Sequence, residues 1–285
     1  MCQQNIHRKS ARRHRSRGRL ALCAVLGAGS LLASCATSGI NQGQFNLISR
    51  DEEWQAGQQL ERELATQLKL VDDPTAVAYV TQIGRRIVAQ TELAGAPWTF
   101  HIVADPQINA FAIPGGHVYV NTGLIMKAGD ASELAGVMAH EIGHGVARHS
   151  TEQMSKMYGI NLGAGLLLGQ HASAVEQLAA QIAETGLAAK FSRADEREAD
   201  QLGVQYMYRA GYDPRGMSRM FQKLLSERKR RPSSVEQFFA SHPLEEDRIA
   251  QVNRQVRTLP ARSGMLANDG RLPQIQQRVR RYNNG

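Results

Sequence analysis

Two histidines and a glutamate stand close together near the middle of the chain, in the run His140-Glu141-Ile142-Gly143-His144. Residues four apart lie on one face of an α-helix, so both imidazoles can bind a single metal ion. Glu141 lies about 100° around the helix from His140, where its carboxylate can address a water molecule on that ion. The spacing predicts a zinc site for amide hydrolysis with Glu141 as the general base. The alternative is two surface histidines on a helix.

A catalytic zinc ion takes three protein ligands and keeps one position open, so a third ligand must come from elsewhere. Further along, Glu196 and Asp200 are four apart and share a helix face. This arrangement suits a carboxylate ligand with a supporting partner, and Asp200 can accept the outer N–H of His140 and fix its tautomer. The plainer interpretation is an acidic, solvated helix. Glu198 lies on the opposite side of that helix from Glu196, and we expect no role for it.

Another histidine precedes a predicted helix start, in Ser241-His242-Pro243 followed by acidic residues 245–247. Proline at the first helical position and acids in the first turn explain the rest of this segment. They do not explain His242, because serine, threonine, aspartate or asparagine caps a helix better. Pro243 also favours an extended His242. Three roles are open: a helix start only, a hydrogen-bond donor to the reaction's oxyanion together with Arg248, or a fourth zinc ligand.

The elements that must position these residues follow from periodicity and turn signals. Helices are predicted over 51–68, 77–88, from Asp130 through the motif, over 174–210, and from 215 to about 226. Strands are predicted over 97–103 and on both sides of Pro114-Gly115-Gly116, within 110–121. The glycine- and leucine-rich run 160–169 is too short to span a bilayer. The basic residues 229–232 are expected in a solvated loop.

The formal charge of the chain, +8, suggests a nucleic-acid binder, but the basic residues are unevenly placed. Seven of the 34 lysines and arginines lie between Arg8 and Arg19, ahead of the first acidic residue, Asp51. The other 27 are balanced by 26 acidic residues. Since the excess belongs to one terminal segment, we expect no DNA or RNA partner.

The basic segment is followed by thirteen uncharged residues, Leu20–Leu32, a length typical of a signal peptide and short for a membrane span. Small residues then lead into Cys35, as in the lipobox where bacterial signal peptides are cleaved and the cysteine receives lipid. An ordinary signal peptide and a retained membrane helix are the alternatives. The only other cysteines are Cys2 and Cys23, so cleavage leaves no thiol for a disulfide or a metal site.

Three segments follow from this interpretation: a signal peptide over 1–34, a lipid-bearing tether over 35–47, and a catalytic domain over 48–285. Ala36 follows Cys35 where an aspartate would favour retention in the inner membrane. The resemblance to bacterial lipoproteins therefore implies an outer-membrane anchor facing the periplasm.

The chain resembles the M48 family of peptidases, in a compact lipoprotein branch without transmembrane helices around the motif. The resemblance covers about residues 50 to 255, in the family's order. The matching segments are Asn109-Ala110-Phe111-Ala112-Ile113-Pro114-Gly115-Gly116, Thr122-Gly123-Leu124, residues 133–144, residues 191–200 and Ser241-His242-Pro243.

This resemblance implies one zinc ion per chain, bound by His140, His144 and Glu196, with Glu141 as the base. It also implies an α+β fold, a mainly helical thermolysin-like zincin of the gluzincin type, with a small sheet over the metal helix. The strand that carries Asn109, Ala110, Phe111 and Ala112 is expected at the sheet edge above the zinc. An extended substrate would pair its backbone with that edge. No metal role is expected for His117, His149 and His171, although Arg148 and His149 can support the site from behind.

The function expected from the resemblance and the leader is cleavage of unfolded or misassembled envelope and outer-membrane proteins in quality control. The chain would reach the membrane through lipid on Cys35, with an envelope protease or outer-membrane assembly proteins as candidate partners. One alternative is a chaperone-like assembly factor that binds clients at the edge strand with little cleavage. Another is a zinc-stabilised structural lipoprotein, which four filled ligand positions would favour.

Overall fold

The computed structural model of the 285-residue chain describes residues 40, 49–153, 181–182, 184–185 and 190–283. The chain divides into two units, Met1–Gln42 and Gly43–Gly285, and every described residue except Ile40 belongs to the second. The predicted signal peptide, the lipid attachment at Cys35, the rest of the tether to residue 47 apart from Ile40, and the run 160–169 lie outside the described residues. No helix among the described residues is long and apolar enough to cross a bilayer.

A small sheet and a larger set of helices make up the described chain. The strands are β1 (Thr99–Val103), β2 (Ala110–Ile113) and β3 (His117–Asn121). The α-helices are α1 (Arg50–Gln67), α2 (Pro74–Val88), α3 (Thr122–Lys127), α4 (Ala131–Ala147), α5 (Arg193–Arg209), α6 (Arg215–Arg230), α7 (Glu236–Ser241), α8 (Glu246–Thr258) and α9 (Leu272–Arg280). The predicted α+β class, mainly helical with a small sheet, is confirmed.

The sheet has the strand order β1-β3-β2. β1 runs parallel to β3, and β2 runs antiparallel to β3 through a tight turn. Gly115 and Gly116 take φ values of 84° and 76° in that turn, a region that glycine reaches without steric cost. The predicted strand–turn–strand unit is confirmed, and β2 lies at an edge of the sheet as expected.

The central helix of the fold is α4, which carries the His-Glu motif. Asp130 begins it by accepting a hydrogen bond from the Glu133 N–H, as predicted. Every residue of α4 except Gly145 is buried, because the helix packs against α2, α5, α6, β2 and β3. Its apolar side chains therefore form core contacts on several sides, while its histidines face α5.

Three boundaries differ from the sequence prediction. The helical pattern predicted over 174–210 is interrupted, because α5 begins at a capping box in which Ser192 and Asp195 each accept the other's backbone N–H. The basic residues near 229 end α6 instead of forming a loop, since cations are favourable at a helix C-terminus. Pro243 does not occupy the first turn of a helix, because α8 begins only at Glu246.

Candidate metal centre

Helices α4 and α5 together position the predicted metal ligands. They pack closely because Gly143 lies against the backbone of Ala199, where an added Cβ would come 2.8 Å from the Ala199 carbonyl oxygen. This close approach brings Glu196, in the first turn of α5, beside the two histidines of α4. The helix pair thus converts two separate sequence segments into one cluster.

Four side chains converge at this point, and all are buried. They are His140, His144, Glu196 and His242. The two Nε2 atoms of His140 and His144 lie 3.0 Å apart. Carboxylate oxygens of Glu196 lie 3.5 Å from the first and 3.2 Å from the second. Nδ1 of His242 lies 3.3 Å from His140 Nε2 and 2.9 Å from Glu196 Oε1.

These separations fit a zinc ion. Two ligand atoms that each lie about 2.1 Å from one zinc ion, at a tetrahedral angle, are roughly 3.4 Å apart. The five separations given above run from 2.9 to 3.5 Å, and all four ligand atoms lie within 4.8 Å of one another. Two imidazoles and a carboxylate are also the usual donor set of a catalytic zinc. The residues His140, His144 and Glu196 therefore suit this metal, and His242 supplies a fourth donor at the same point.

The outer nitrogen of His140 faces a carboxylate, as predicted. Its Nδ1 lies 2.9 Å from Asp200 Oδ1, at an angle short of a straight hydrogen bond. Arg248 of α8 holds Asp200 through two contacts of 2.8 Å and also donates to Glu196. The guanidinium is buried, so it neutralises both carboxylates away from water. Arg248 therefore supports the ligands instead of facing a substrate.

The outer nitrogen of His144 has a different partner. His144 Nδ1 lies 2.9 Å from His149 Nδ1, and His149 Nε2 lies 3.2 Å from Glu198. His149 can reach back because Arg148 ends α4 in the left-handed region, with φ 63°. The prediction that His149 supports the site from behind agrees with these contacts. Glu198, as expected, is not among the converging ligands, but its carboxylate accepts from the far side of His149.

Glu141 lies beside the cluster and is fully buried. Its Oε1 lies 3.4 Å from His242 Nε2. Burial raises the pKa of Glu141, and the charges of His242 and His140 oppose that rise. A carboxylate with a raised pKa suits a group that must both take and return a proton near neutral pH.

The charges around the cluster favour an ionised Glu196. Burial opposes ionisation, but the charges of His242 and Arg248 hold the pKa of Glu196 well below its usual range. Burial also favours a neutral His140, yet the carboxylates of Glu196 and Asp200 raise the pKa of His140 to about 9. Burial lowers the pKa of His144. The cluster thus supplies a negative oxygen donor, while His140 must lose its proton before it binds a metal.

The predicted substrate strand lies at the sheet edge but is covered. Residues 109–113 are all buried, with β2 packed against α4. Residues 149–153, helical after α4, lie beside this edge, and Ser150 Oγ donates to the Ala112 carbonyl at 3.2 Å. Ile182 packs in the same hydrophobic cluster as Phe111 and Ile113. The backbone of β2 is therefore not open to a substrate in this conformation.

The other predicted positions fall as follows. His242 has extended backbone, with φ −115° and ψ 92°, as Pro243 was expected to impose. His117 lies away from the cluster, where its Nδ1 is 3.1 Å from Glu61. His171 is outside the described residues. Within the described residues, the cluster around His140 is the single group of ligand-type side chains close enough to hold a metal ion.

Comparison with known proteins identifies relatives of this arrangement. The family model described as "Peptidase family M48" matches residues 74–256. The "Putative beta-barrel assembly-enhancing protease" of Vibrio cholerae is 33% identical over 231 residues, which cover 75% of this chain and 46% of that protein. The "Beta-barrel assembly-enhancing protease" of Escherichia coli (strain K12) is 31% identical over 221 residues, 73% of this chain and 44% of that protein.

A mitochondrial protein is similar over a comparable region. The "Mitochondrial metalloendopeptidase OMA1" of Schizosaccharomyces pombe is 29% identical over 215 residues, 74% of this chain and 63% of that protein. The chain therefore spans about half the length of the bacterial relatives it matches.

Proposed function

Because the chain belongs to peptidase family M48, we propose that it is a zinc-dependent endopeptidase with one zinc ion bound by His140, His144 and Glu196. The observation that carries this proposal is the convergence of these buried donors beside the equally buried carboxylate of Glu141. When bound, zinc supplies Lewis acidity toward a carbonyl oxygen and lowers the pKa of water. The relatives are named as proteases and a metalloendopeptidase, which supports the same reaction class.

The chain's own residues divide the work around the metal. Glu141 takes a proton from water and returns it to the leaving amine, so one carboxylate serves as base and then as acid. Asp200 and His149 orient the two histidine rings from behind. Arg248 holds Glu196 and Asp200 in place.

The position of His242 favours one of its candidate roles. Its Nδ1 lies among the ligand atoms, while its Nε2 faces Glu141. We propose that His242 fills the fourth position and keeps the enzyme latent until it moves away. His242→Ala should then retain zinc and raise basal peptidase activity. A fall in activity with zinc retained would instead assign His242 to the oxyanion.

The covered edge of β2 favours the same latent state. Substrate pairing with Asn109, Ala110, Phe111 and Ala112 requires the segment at Ser150 to move aside. Ser150→Ala should therefore increase turnover of an unfolded protein. Ala112→Pro should decrease turnover with zinc still bound, because proline removes a backbone donor. Unchanged rates in both folded variants would rule out this edge as the substrate strand.

The reaction is tested by incubating purified protein and its Glu141→Gln variant with an unfolded outer-membrane protein. Wild type should produce fragments, and the variant should lose about 10²- to 10⁴-fold in rate because the general base is absent. Both proteins should hold one zinc ion by metal analysis. Equal cleavage by the two proteins would show that Glu141 is not the base.

A structural zinc site is the second candidate function, because four donors meet at the cluster and structural sites fill four positions. A structural site has no use for a buried base, and Glu141 lies next to the fourth donor. The variants separate the two candidates. If His242→Ala loses zinc and unfolds while wild type cleaves nothing, the site is structural. The chaperone-like alternative likewise gives no reason for Glu141.

We further propose that the substrates are misfolded or unassembled proteins of the bacterial envelope, and that lipid on Cys35 anchors the chain at the periplasmic face of the outer membrane. The support is the signal-peptide-like leader and the relatives named beta-barrel assembly-enhancing protease. Envelope proteases and outer-membrane assembly proteins are candidate partners. Cys35→Ala should stop lipidation and leave the protein either unanchored or retained with its uncleaved leader, because lipid anchoring requires acyl chains. A mature N-terminus elsewhere, without lipid mass, would contradict the anchor.

A further inference from the structure

A polar cleft runs between α5 and α8, behind the metal centre. Its volume is about 380 Å³, and Asp200, which faces His140 from behind, lies at its base. The remaining polar side chains that line it are Arg197, Gln201, Gln205, Gln251, Arg254 and Gln255. None of the catalytic roles above uses these six side chains.

Amide side chains form a row on each wall of this cleft. On α5, Gln201 and Gln205 are four residues apart, and on α8 Gln251 and Gln255 have the same spacing. Residues four apart lie on one helix face, so each pair presents its amides in line. Gln255 Nε2 donates to the Gln201 carbonyl at 2.8 Å, which joins the two walls at one point.

The spacing and chemistry of these rows match an extended polypeptide. Residues four apart on a helix are separated by about 6 Å along its axis. An extended chain repeats the backbone groups on one side every second residue, roughly 6.6 Å. A carboxamide carries two N–H donors and an acceptor oxygen, so it can bond both a backbone carbonyl and a backbone N–H. Such contacts do not depend on the side chains of the bound segment.

The charge of the cleft determines which kind of extended polypeptide segment it favours. Arg197 and Arg254 are exposed at its rim, and in the part of the chain that the structure describes neither has an ion-pair partner within 4.0 Å. The carboxylate of Asp200 is already paired with Arg248. The walls are otherwise polar, apart from the buried Val252. The cleft is therefore positive and hydrogen-bonding, and it favours carboxylates over apolar groups.

We propose that this cleft binds an extended, acidic segment of polypeptide through its backbone amides and carboxylates. The segment would be a distant part of an unfolded substrate, held while another part reaches the metal centre. This identification of the segment as substrate rests on the proposed peptidase function, whereas binding itself does not require cleavage.

The test measures binding in a chain that cannot turn over the probe. Full-length, zinc-loaded protein carrying Glu141→Gln is titrated into a fluorescent, amidated peptide of alternating glutamate and glycine, with anisotropy as the readout. Roughly ten residues at 3.3 Å each suffice to span the cleft. A matched peptide with glutamine in place of glutamate measures the backbone contribution alone. We expect the acidic peptide to bind more tightly, with an affinity that falls as salt rises.

Two pairs of substitutions locate the site. Arg197→Ala with Arg254→Ala should weaken binding of the acidic peptide by about 2- to 30-fold, as expected for two exposed charge contacts. Gln201→Ala with Gln251→Ala should weaken binding of both peptides. The matched control is Gln222→Ala with Lys229→Ala, which removes an amide and a cation of α6 from a separate groove between α6 and α8 and should change nothing.

The outcomes separate this proposal from the peptidase proposal. Equal binding by wild type and both cleft pairs, or an equal loss with the control pair, would overturn the cleft assignment. Displacement of the peptide by acetate at matched ionic strength would reduce the site to a simple anion site and also overturn it. A failure of wild type to cleave proteins would leave the binding result intact. Zinc content and thermal melting of each variant confirm that it is folded.

Discussion

Two clusters of the described residues bring histidines to a glutamate, one at the metal centre and one at the sheet, and of these two the first is built to hold a metal. At the metal centre, the ring nitrogens of His140 and His144 point at one place, and each ring has a partner behind it. At the sheet, His101 and His117 point separately at Glu61, 2.7 and 3.1 Å from its Oε1. There each histidine contacts the carboxylate directly, through one ring nitrogen.

The comparison shows that residue type is not what distinguishes a metal site. The sheet cluster also includes Thr99, which donates to Glu61 at 2.7 Å and lies 2.8 Å from His117. The Thr99 hydroxyl adds a third contact to the Glu61 carboxylate, beside those from the two histidines. At the metal centre four donor atoms converge on one point, within 4.8 Å of one another, an arrangement that suits a zinc ion. The metal centre differs from the sheet cluster in two ways: its donor atoms converge on one point, and each of its α4 histidines has a partner at its outer nitrogen.

The strongest test of the difference between the two clusters is to remove one histidine from each and measure zinc binding. His140→Ala should lower zinc affinity by more than the roughly 10- to 100-fold that loss of a supporting partner costs, because a ligand itself is gone. His117→Ala should leave one zinc ion per chain. Metal analysis after dialysis measures both variants. Zinc loss from His117→Ala in a folded protein would show that the sheet cluster is not independent of the metal.

A smaller effect should follow from removing support behind the second ligand. His149→Ala should weaken zinc binding by about 10- to 100-fold, since the ring of His144 loses the partner that orients it. Glu198→Gln should act in the same direction and less strongly. Competition with a chelator of known affinity provides the measurement, with His101→Ala as the control. If His149→Ala binds zinc as wild type does, the contact at 2.9 Å has no role in metal affinity.

The smallest effect should be a change in the free energy of unfolding when the Glu61 carboxylate of the sheet cluster is removed. Burial opposes ionisation, but the hydroxyl of Thr99 and the charge of His117 hold the pKa of Glu61 below its ordinary value of 4.5. A depressed pKa means that this carboxylate stabilises the fold above pH 4.5 and loses that effect as the pH falls through its folded pKa. Glu61→Gln should cost about 1–3 kcal/mol at neutral pH.

Urea denaturation of the metal-free proteins across the acidic range tests this expectation. The stability difference between wild type and Glu61→Gln should be largest at neutral pH and shrink below pH 4.5. A constant difference down to the acid limit would contradict the assigned pKa direction.

Several features of the metal centre could be predicted from local sequence patterns. The motif helix, its start at Asp130 and the shared helix face of Glu196 and Asp200 needed only helical spacing and capping chemistry. The assignment of Glu196 as the third ligand came from the family resemblance. The start of α5 at Ser192 carried a readable signal, the capping box with Asp195, that the longer apolar pattern concealed.

Other features depended on contacts between distant segments. The burial of β2 beside Ser150 joins parts of the chain that no periodicity relates. The fourth donor, His242, lies 46 residues from its Glu196 partner. The docking of α8 through Arg248 and the hydrogen bond from the Phe191 N–H to the Ser241 carbonyl hold it at the cluster. The contact of Glu198 was missed because helical spacing places it away from Glu196, and the partner that reaches it, His149, lies on another segment.

The left-handed Arg148 bears on how the motif should be read in any sequence. On an uninterrupted helix, His149 would lie about 140° around the axis from His144 and face elsewhere. The reversal at Arg148, which also ties α4 to Glu53 of α1 at 2.5 Å, brings the two rings together. An inserted or deleted residue between these histidines would leave the ligand spacing intact and misalign the support. A search pattern for this kind of centre should therefore continue past the second ligand and treat the break in the helix as part of the signature.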